Sequence, residues 1–404
     1  MKVLLINTTY NIGSTGKLVY NFRNYLIQQG NEVLTLYGQG NSDIPNKNIN
    51  ISSIIERKIH NVLGRVTGLN GCFSFFSTNE AISIINDFSP DIIYLGNLHG
   101  HYINIYRLYD YFRARGFPIV KIMWDEYAMT GACAFSFDCK KYEGECGKCP
   151  QKKAYPISYF FDTSRLLQNK KKHAFMNQRI CFVSVPYIIN CASKSLLLHN
   201  SVLYAVDEAV DQQSLYYPRN PENIRKELEI SDDKRVVLNV CPYPDYRKGG
   251  SYYLDLARRC LQYDDLVFVH VGFMGNKSEC PKNYIPIGYE RDQNRMAYFY
   301  SMADIFVCTS LAETQPNTCI EALSCGTPIC GFDISGIPTC AEEPYGCFVK
   351  ARDVDELMKV VIRTKKKTPE EINSVRRYAE SRFSSTDYNM RLYSIGKQLI
   401  GEKQ

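Results

Sequence analysis

The sequence predicts an α/β protein made of two Rossmann-like, doubly wound domains facing a central cleft. Short β-branched and aliphatic runs alternate with amphipathic stretches along almost the whole chain. The runs are continuously apolar, which marks strands buried on both faces of a parallel sheet. The 404 residues exceed one compact domain at about 100–200 residues each. The series is interrupted once, by the polar, Pro-containing passage Asp211–Pro221.

In the first series, Val3–Ile6 reads as a buried strand, followed by a glycine turn at Gly13-Ser14-Thr15-Gly16 and a helix over Lys17–Gln29. Further strands are expected at Glu32–Tyr37, Ile92–Leu95, Ile119–Met123, Phe182–Val185 and Val202–Ala205. Residues 124–172, rich in Cys, Gly, Lys and aromatics, break the rhythm and read as an insertion. The second series has strands at Val236–Val240, Val267–Val271, Ile285–Ile287, Ile305–Cys308 and Ile329–Phe332, with helices from about Ser251, Asn294 and Thr318. The expected domains are residues 1–210 and 211–384, with a helix over 385–404 free to cross back to the first. Two such sheets would present their carboxyl ends to one cleft, where open α/β sheets bind ligands.

Composition narrows the function. With 45% hydrophobic and 22% charged residues the chain is neither disordered nor fibrous. Mean hydropathy is −0.27, and no apolar run approaches the ~20 residues that cross a bilayer. Met1–Asn7 lacks an adequate signal-peptide core, so a cytoplasmic protein is expected. The charge is 48 − 42 = +6, which suits anionic small molecules or a membrane surface, and no nucleic-acid module accompanies it. The runs Lys170–Lys172 and Lys365–Lys367 read as solvated helix surface. In a reducing compartment most of the 16 cysteines are expected to be small buried apolar residues.

The segment richest in chemistry runs from Ser310 to Pro328. After the strand Ile305–Cys308, Glu313 stands in a loop, and Pro316 and Asn317 admit a helix near Thr318. Helix-terminal amides and the helix dipole can hold a diphosphate. Carboxylates at Glu313 and Glu321 can accept hydrogen bonds from sugar hydroxyls on either side of it. Thr318-x-x-Glu321 also fits a capping box, which needs no ligand. Upstream, Tyr246-Arg247-Lys248-Gly249-Gly250 opens a helix, and its two cations can neutralise a leaving group without metal. Gly13–Lys17 lacks the G-x-x-x-x-G-K-S/T spacing of a P-loop, but its glycines allow close approach to phosphate or sugar. Asn97-Leu98-His99-Gly100-His101-Tyr102 follows a strand at its carboxyl end.

The pattern S-L-x-E-T-x-x-N-T-x-x-E-A-L-x-C-G-T-P over Ser310–Pro328 resembles retaining glycosyltransferases of family 4, which have the GT-B fold, and most of all those of bacterial capsule and exopolysaccharide synthesis. Arg247–Gly249, Ser14–Lys17 and Asn97–Tyr102 are similar to further elements of that family. The resemblance implies a hexosyl transfer with retention from a nucleotide diphosphate sugar to a saccharide acceptor, lipid-linked in capsule-type relatives. It implies that Arg247 and Lys248 face the donor diphosphate, Glu313 the transferred sugar and Glu321 the ribose. Gly13, Gly16, Asn317, Thr318 and His99 complete the expected donor site. No cofactor is then required for catalysis, and contact with the inner face of the membrane would be peripheral. Two other readings stay open: a GT-B nucleotide-sugar epimerase, and a non-catalytic partner subunit that binds glycan or nucleotide.

Two features stand apart. Cys133, Cys139, Cys146 and Cys149 fall within 17 residues, ending in a C-x2-C knuckle that suits a structural zinc, with disulfides or free thiols as rivals. Relatives carry His-Asp-Cys-Trp where this chain has Trp124-Asp125-Glu126-Tyr127, and that His touches the donor sugar in much of the family. A deoxy or otherwise less polar hexose, or a sugar seated differently, is the expectation that follows.

Overall fold

The computed structural model describes residues 1–40 and 47–401. The chain divides into two units, Met1–Val206 with Asn389–Gln404, and Asp207–Tyr388. The boundary precedes the polar passage Asp211–Pro221, and that passage belongs to the second unit. Arg376 donates to the carbonyls of Gln212 and Tyr216, and Asp211 accepts from the amides of Gln213 and Ser214.

In the first unit the strands are β1 (Lys2–Tyr10), β2 (Glu32–Gly40), β3 (Asn48–Asn50), β4 (Ile92–Leu95), β5 (Ile119–Ile122), β6 (Ile180–Ser184) and β7 (Val202–Ala205). Among the described residues they form one seven-stranded parallel sheet of order β3-β2-β1-β4-β5-β6-β7. Val3 pairs with Val33 on one side and Ile92 on the other. Val3–Ile6 are buried because helices cover both faces. Leu4, Leu36, Ile93, Leu108 and Phe112 share one core beneath the helices Phe75–Phe88 and Ile105–Arg115.

The second unit carries β8 (Arg235–Tyr243), β9 (Leu266–Phe273), β10 (Tyr284–Ile287), β11 (Ile305–Cys308), β12 (Ile329–Asp333) and β13 (Gly346–Lys350), in the order β10-β9-β8-β11-β12-β13. All pairings are parallel, with Ile305 beside Val237 and Phe306 beside both Leu238 and Ile329. Its core gathers Val236, Phe299, Phe306, Ile320 and Leu323. In each sheet the strand order reverses once, between β1 and β4 and between β8 and β11. The loops leaving those strands are therefore the natural ligand sites.

Three expectations are corrected. The glycine turn is the first turn of a helix, Gly13–Gln28, and not a segment before it. Only residues 124–163 of the expected insertion lie outside the α/β pattern, because Ser164–Phe175 is the ordinary crossover helix to β6. The basic runs are not wholly solvated. Lys171 is 2% exposed and donates to the carbonyls of Tyr127, Thr130 and Gly131, while Lys367 donates to Ser301 and Thr327. A buried ammonium needs such acceptors. Here they tie the irregular segment to its crossover helix.

The final helix spans Ser385–Gly401; residues 402–404 lie outside the described residues. From Asn389 it packs on the first unit. The Tyr94 hydroxyl donates to the Leu392 carbonyl, and Arg179 donates to Leu399 and Ile400.

Candidate active site

At the reversal point of the second sheet, two loops are laced together. Gly249 has φ +64°, and a Cβ there would overlap the Thr309 carbonyl oxygen, so only glycine lets the loops touch. The Leu311 amide donates to the Arg247 carbonyl at 2.7 Å, and the Arg247 guanidinium donates to the Ala312 carbonyl at 2.9 Å. This brings three sequence-selected residues together. Glu313 Oε1 lies 2.7 Å from Lys248 Nζ and 3.2 Å from Arg247 Nη1.

Glu313 is 8% exposed, whereas both cations keep part of their side chains open to solvent. Burial alone would raise the Glu313 carboxyl. The Lys248 ammonium and the Arg247 guanidinium outweigh it and hold the group below its ordinary value. The cluster therefore stays charged, with two cations against one anion, and can attract a further anion. Ser335 Oγ accepts from the Glu313 amide, and the Glu313 carbonyl accepts from Gly336, so the loop backbone is fixed on both sides.

The loop feeds the helix Asn317–Ser324, whose N-cap is Pro316 with no side-chain cap. The capping box that Thr318-x-x-Glu321 allows is not formed, because the N-cap falls at Pro316, two residues early. The Cys319 amide reaches the Pro316 carbonyl, leaving the amides of Asn317 and Thr318 ahead of the helical ladder. The Glu321 carboxylate instead accepts from the Tyr300 hydroxyl at 2.6 Å. Gln315 pins the turn, accepting from the Glu208 amide and donating to Asp207, both at 2.7 Å.

In the first unit, Asn7 bridges the β1 and β4 loops. Its Oδ1 accepts from the Asn97 amide at 2.8 Å, and its Nδ2 donates to the Thr9 carbonyl. Gly13 has φ +64°, and the Gly16 carbonyl accepts from the Asn11 amide, which folds the loop onto the helix start. His99 is buried, with Nε2 3.2 Å from Asp125 Oδ2 and its ring 4.6 Å from that of Tyr127. Burial raises the Asp125 carboxyl, but His99 and the Tyr127 amide outweigh burial and hold it below its ordinary value. The Trp124 indole N–H is buried without a partner.

Sequence reasoning selects neither Asp125 nor Tyr300. The available signal for Asp125 was a carboxylate just past β5, level with the His99 loop. Tyr300, on the neighbouring helix Gln293–Met302, gives no local signal.

Cys133, Cys139, Cys146 and Cys149 line one small cavity as free cysteines. Burial raises the thiols of Cys133, to about 12, and of Cys146 and Cys149. Among the described residues no three His, Cys, Asp or Glu side chains are grouped closely enough to hold a metal ion.

Residues 234–366, which span both loops of the second-unit site, match the family model "Glycosyl transferases group 1". These residues carry a group 1 glycosyltransferase domain. The chain is 21% identical over 289 residues to the putative colanic acid biosynthesis glycosyl transferase WcaC of Escherichia coli, covering 67% of each chain. It is similar in fold to the sucrose-phosphate synthase of Thermosynechococcus elongatus (TM-score 0.69, 16% identity, 100% of both chains). It is similar also to HepE of Anabaena solved with UDP and glucose (TM-score 0.63, 14% identity, 98% of this chain and 99% of that one). The chain thus has the GT-B architecture of two Rossmann-like domains.

Proposed function

We propose that this protein is a glycosyltransferase that moves a hexosyl unit, with retention, from a nucleotide diphosphate sugar to a lipid-linked saccharide in polysaccharide synthesis. The observation that carries the reading is the Glu313–Lys248–Arg247 cluster at the strand-order reversal of the second sheet, beside an uncapped helix start. The donor diphosphate lies against Lys248, Arg247 and the amides of Asn317 and Thr318. Glu321, held by Tyr300, takes the ribose, and Glu313 takes the hexose. Support for a nucleotide diphosphate also comes from HepE, whose structure holds UDP.

As the anomeric C–O bond to the diphosphate breaks, negative charge builds on the departing oxygen, where the two cations neutralise it. The acceptor hydroxyl attacks from the same face and passes its proton to that oxygen, so no protein base is needed. Charge neutralisation by Arg247 and Lys248 requires no divalent ion, so turnover is expected to persist in a chelator. The first unit takes the acceptor. The protein works at the cytoplasmic face of the membrane without spanning it; no described helix is long and apolar enough to cross.

The experiment is nucleotide release with candidate donors and acceptors, followed by NMR of the product anomer. Release that depends on acceptor, with the donor's anomeric configuration retained, is the expected result. Release without acceptor dependence, or an epimerised sugar with no release, contradicts it. Trp124 additionally favours a hexose lacking a polar 6-position. Strong preference for a 6-hydroxylated hexose in the same screen would sink that part.

A further inference from the structure

We propose that the outward face of the helix Ile54–Thr67, with the aromatic side chains at its two ends, is a docking surface for an anionic lipid bilayer. This deepens the proposed lipid-linked acceptor by naming the surface through which the protein would meet it.

The helix is amphipathic but docks by its polar side. Its buried residues are His60 and Gly64. His60 Nδ1 is 2.7 Å from Ser74 Oγ, and its Nε2 accepts from the Gly71 amide at 3.2 Å. The aliphatic stripe points the other way. Ile55, Ile59, Val62 and Val66 recur at helical spacing and are 72, 52, 61 and 38% exposed. Folded proteins rarely leave such a stripe open without a partner.

Both ends carry aromatics fixed to the helix. The Glu56 carboxylate accepts from the amides of Phe76 and Ser77, which holds Phe76, 82% exposed, beside the first turn. The Arg65 carbonyl accepts from the Tyr159 amide at 2.7 Å, which sets the neighbouring Phe160, 66% exposed, beside the last turn.

Charge selects a bilayer over a second copy or another protein. Lys58 and Arg65 flank the stripe, Arg57 on the packed face donates to the Gly38 carbonyl, and the helix's one acid, Glu56, is committed to the amides of the next helix. An apolar stripe, aromatic ends and a cationic rim are what an in-plane interfacial helix presents to anionic headgroups. The surface is continuous with the candidate site of its own unit. Ser74 Oγ donates to the His101 carbonyl at 2.9 Å, and the His60 and His101 rings stand 5.2 Å apart. A membrane-borne saccharide would therefore arrive beside the loop that carries His99.

The test is co-sedimentation of the full chain with mixed phosphatidylglycerol–phosphatidylcholine vesicles and with pure phosphatidylcholine vesicles. Nucleotide release with a water-soluble acceptor is measured in parallel. Wild type should sediment with the anionic vesicles and far less with the neutral ones. The double substitution Ile55→Ser/Ile59→Ser should lower the partition constant about tenfold or more. Lys58→Glu should weaken anionic binding alone. Both variants should keep the wild-type melting temperature and soluble-acceptor rate, because none of these side chains is buried or lies in the proposed catalytic cluster. Absence of wild-type sedimentation, or variants that sediment like wild type, overturns the proposal. So does vesicle-independent dimerisation abolished by the same substitutions. Vesicle binding without any nucleotide release would instead leave the docking surface standing and remove the catalytic reading.

Discussion

Glu313 is the residue on which the proposed chemistry and local stability meet. Its folded pKa lies below the unfolded value because Lys248 and Arg247 outweigh burial. Its contribution to stability is therefore present above the ordinary carboxylate range and is lost as pH falls through the depressed value. Glu313→Gln should flatten the acid limb of the melting temperature against pH. Near neutral pH it should cost roughly 2–3 kcal/mol, because two partly buried cations lose their partner. Glu208 has the opposite sign. Burial first, and then Asp207, raise its carboxyl to about 8, so protonation stabilises the fold and the benefit fades as pH climbs towards 8. The melting-temperature advantage of Glu208→Gln over wild type should grow between about pH 5 and 8 and then level off. Glu313, Glu321, Arg247 and Lys248 were legible because each stands at a motif position beside a strand end. The partners Asp125, Tyr300 and Ser335 were not, because each is 21 or more positions distant from the residue it contacts.

At the scale of elements, one buried side chain joins several others in holding the irregular segment between β5 and its crossover helix. Lys171 satisfies three carbonyls from inside the protein, and burial lowers its ammonium to about 7. Lys171→Met should cost roughly 2–3 kcal/mol through unsatisfied carbonyls and should speed proteolytic cleavage between Cys139 and Phe160 ahead of global unfolding. Triple lysine reads as surface in sequence because side-chain direction on a helix depends on what packs there. The central strands were readable from continuous apolar runs. β3 and β13 were not, being a three-residue and a half-exposed edge strand without such a run. The start of the first helix was also missed, because two glycines read as a turn before they read as helix.

At the scale of the whole chain, the two-unit organisation was readable from repetition of the βα pattern around one polar break. Where the last helix goes depends on surfaces far away in sequence. Gly396 leaves no room for a Cβ against the Tyr94 hydroxyl, and Asn31 Nδ2 donates to the Tyr393 hydroxyl at 3.3 Å. Ending the chain at Tyr388 should uncover that face and lower the melting temperature of the first unit by several degrees, leaving nucleoside diphosphate binding by the second intact. The modest net charge, uninformative alone, gains meaning once its cations are located. Arg247 and Lys248 gather at the proposed diphosphate site, and Lys58 and Arg65 flank the exposed apolar stripe. The central claim is that the second-unit cluster drives the departure of the nucleoside diphosphate. Its most direct measurement is the turnover number for acceptor-dependent nucleotide release in wild type, Lys248→Ala and Glu313→Ala, each checked for folding by its melting curve. The account predicts a fall of about 10²–10³ in kcat for folded Lys248→Ala, and a loss at least as large for folded Glu313→Ala. Folded variants that release nucleotide at the wild-type rate would contradict it.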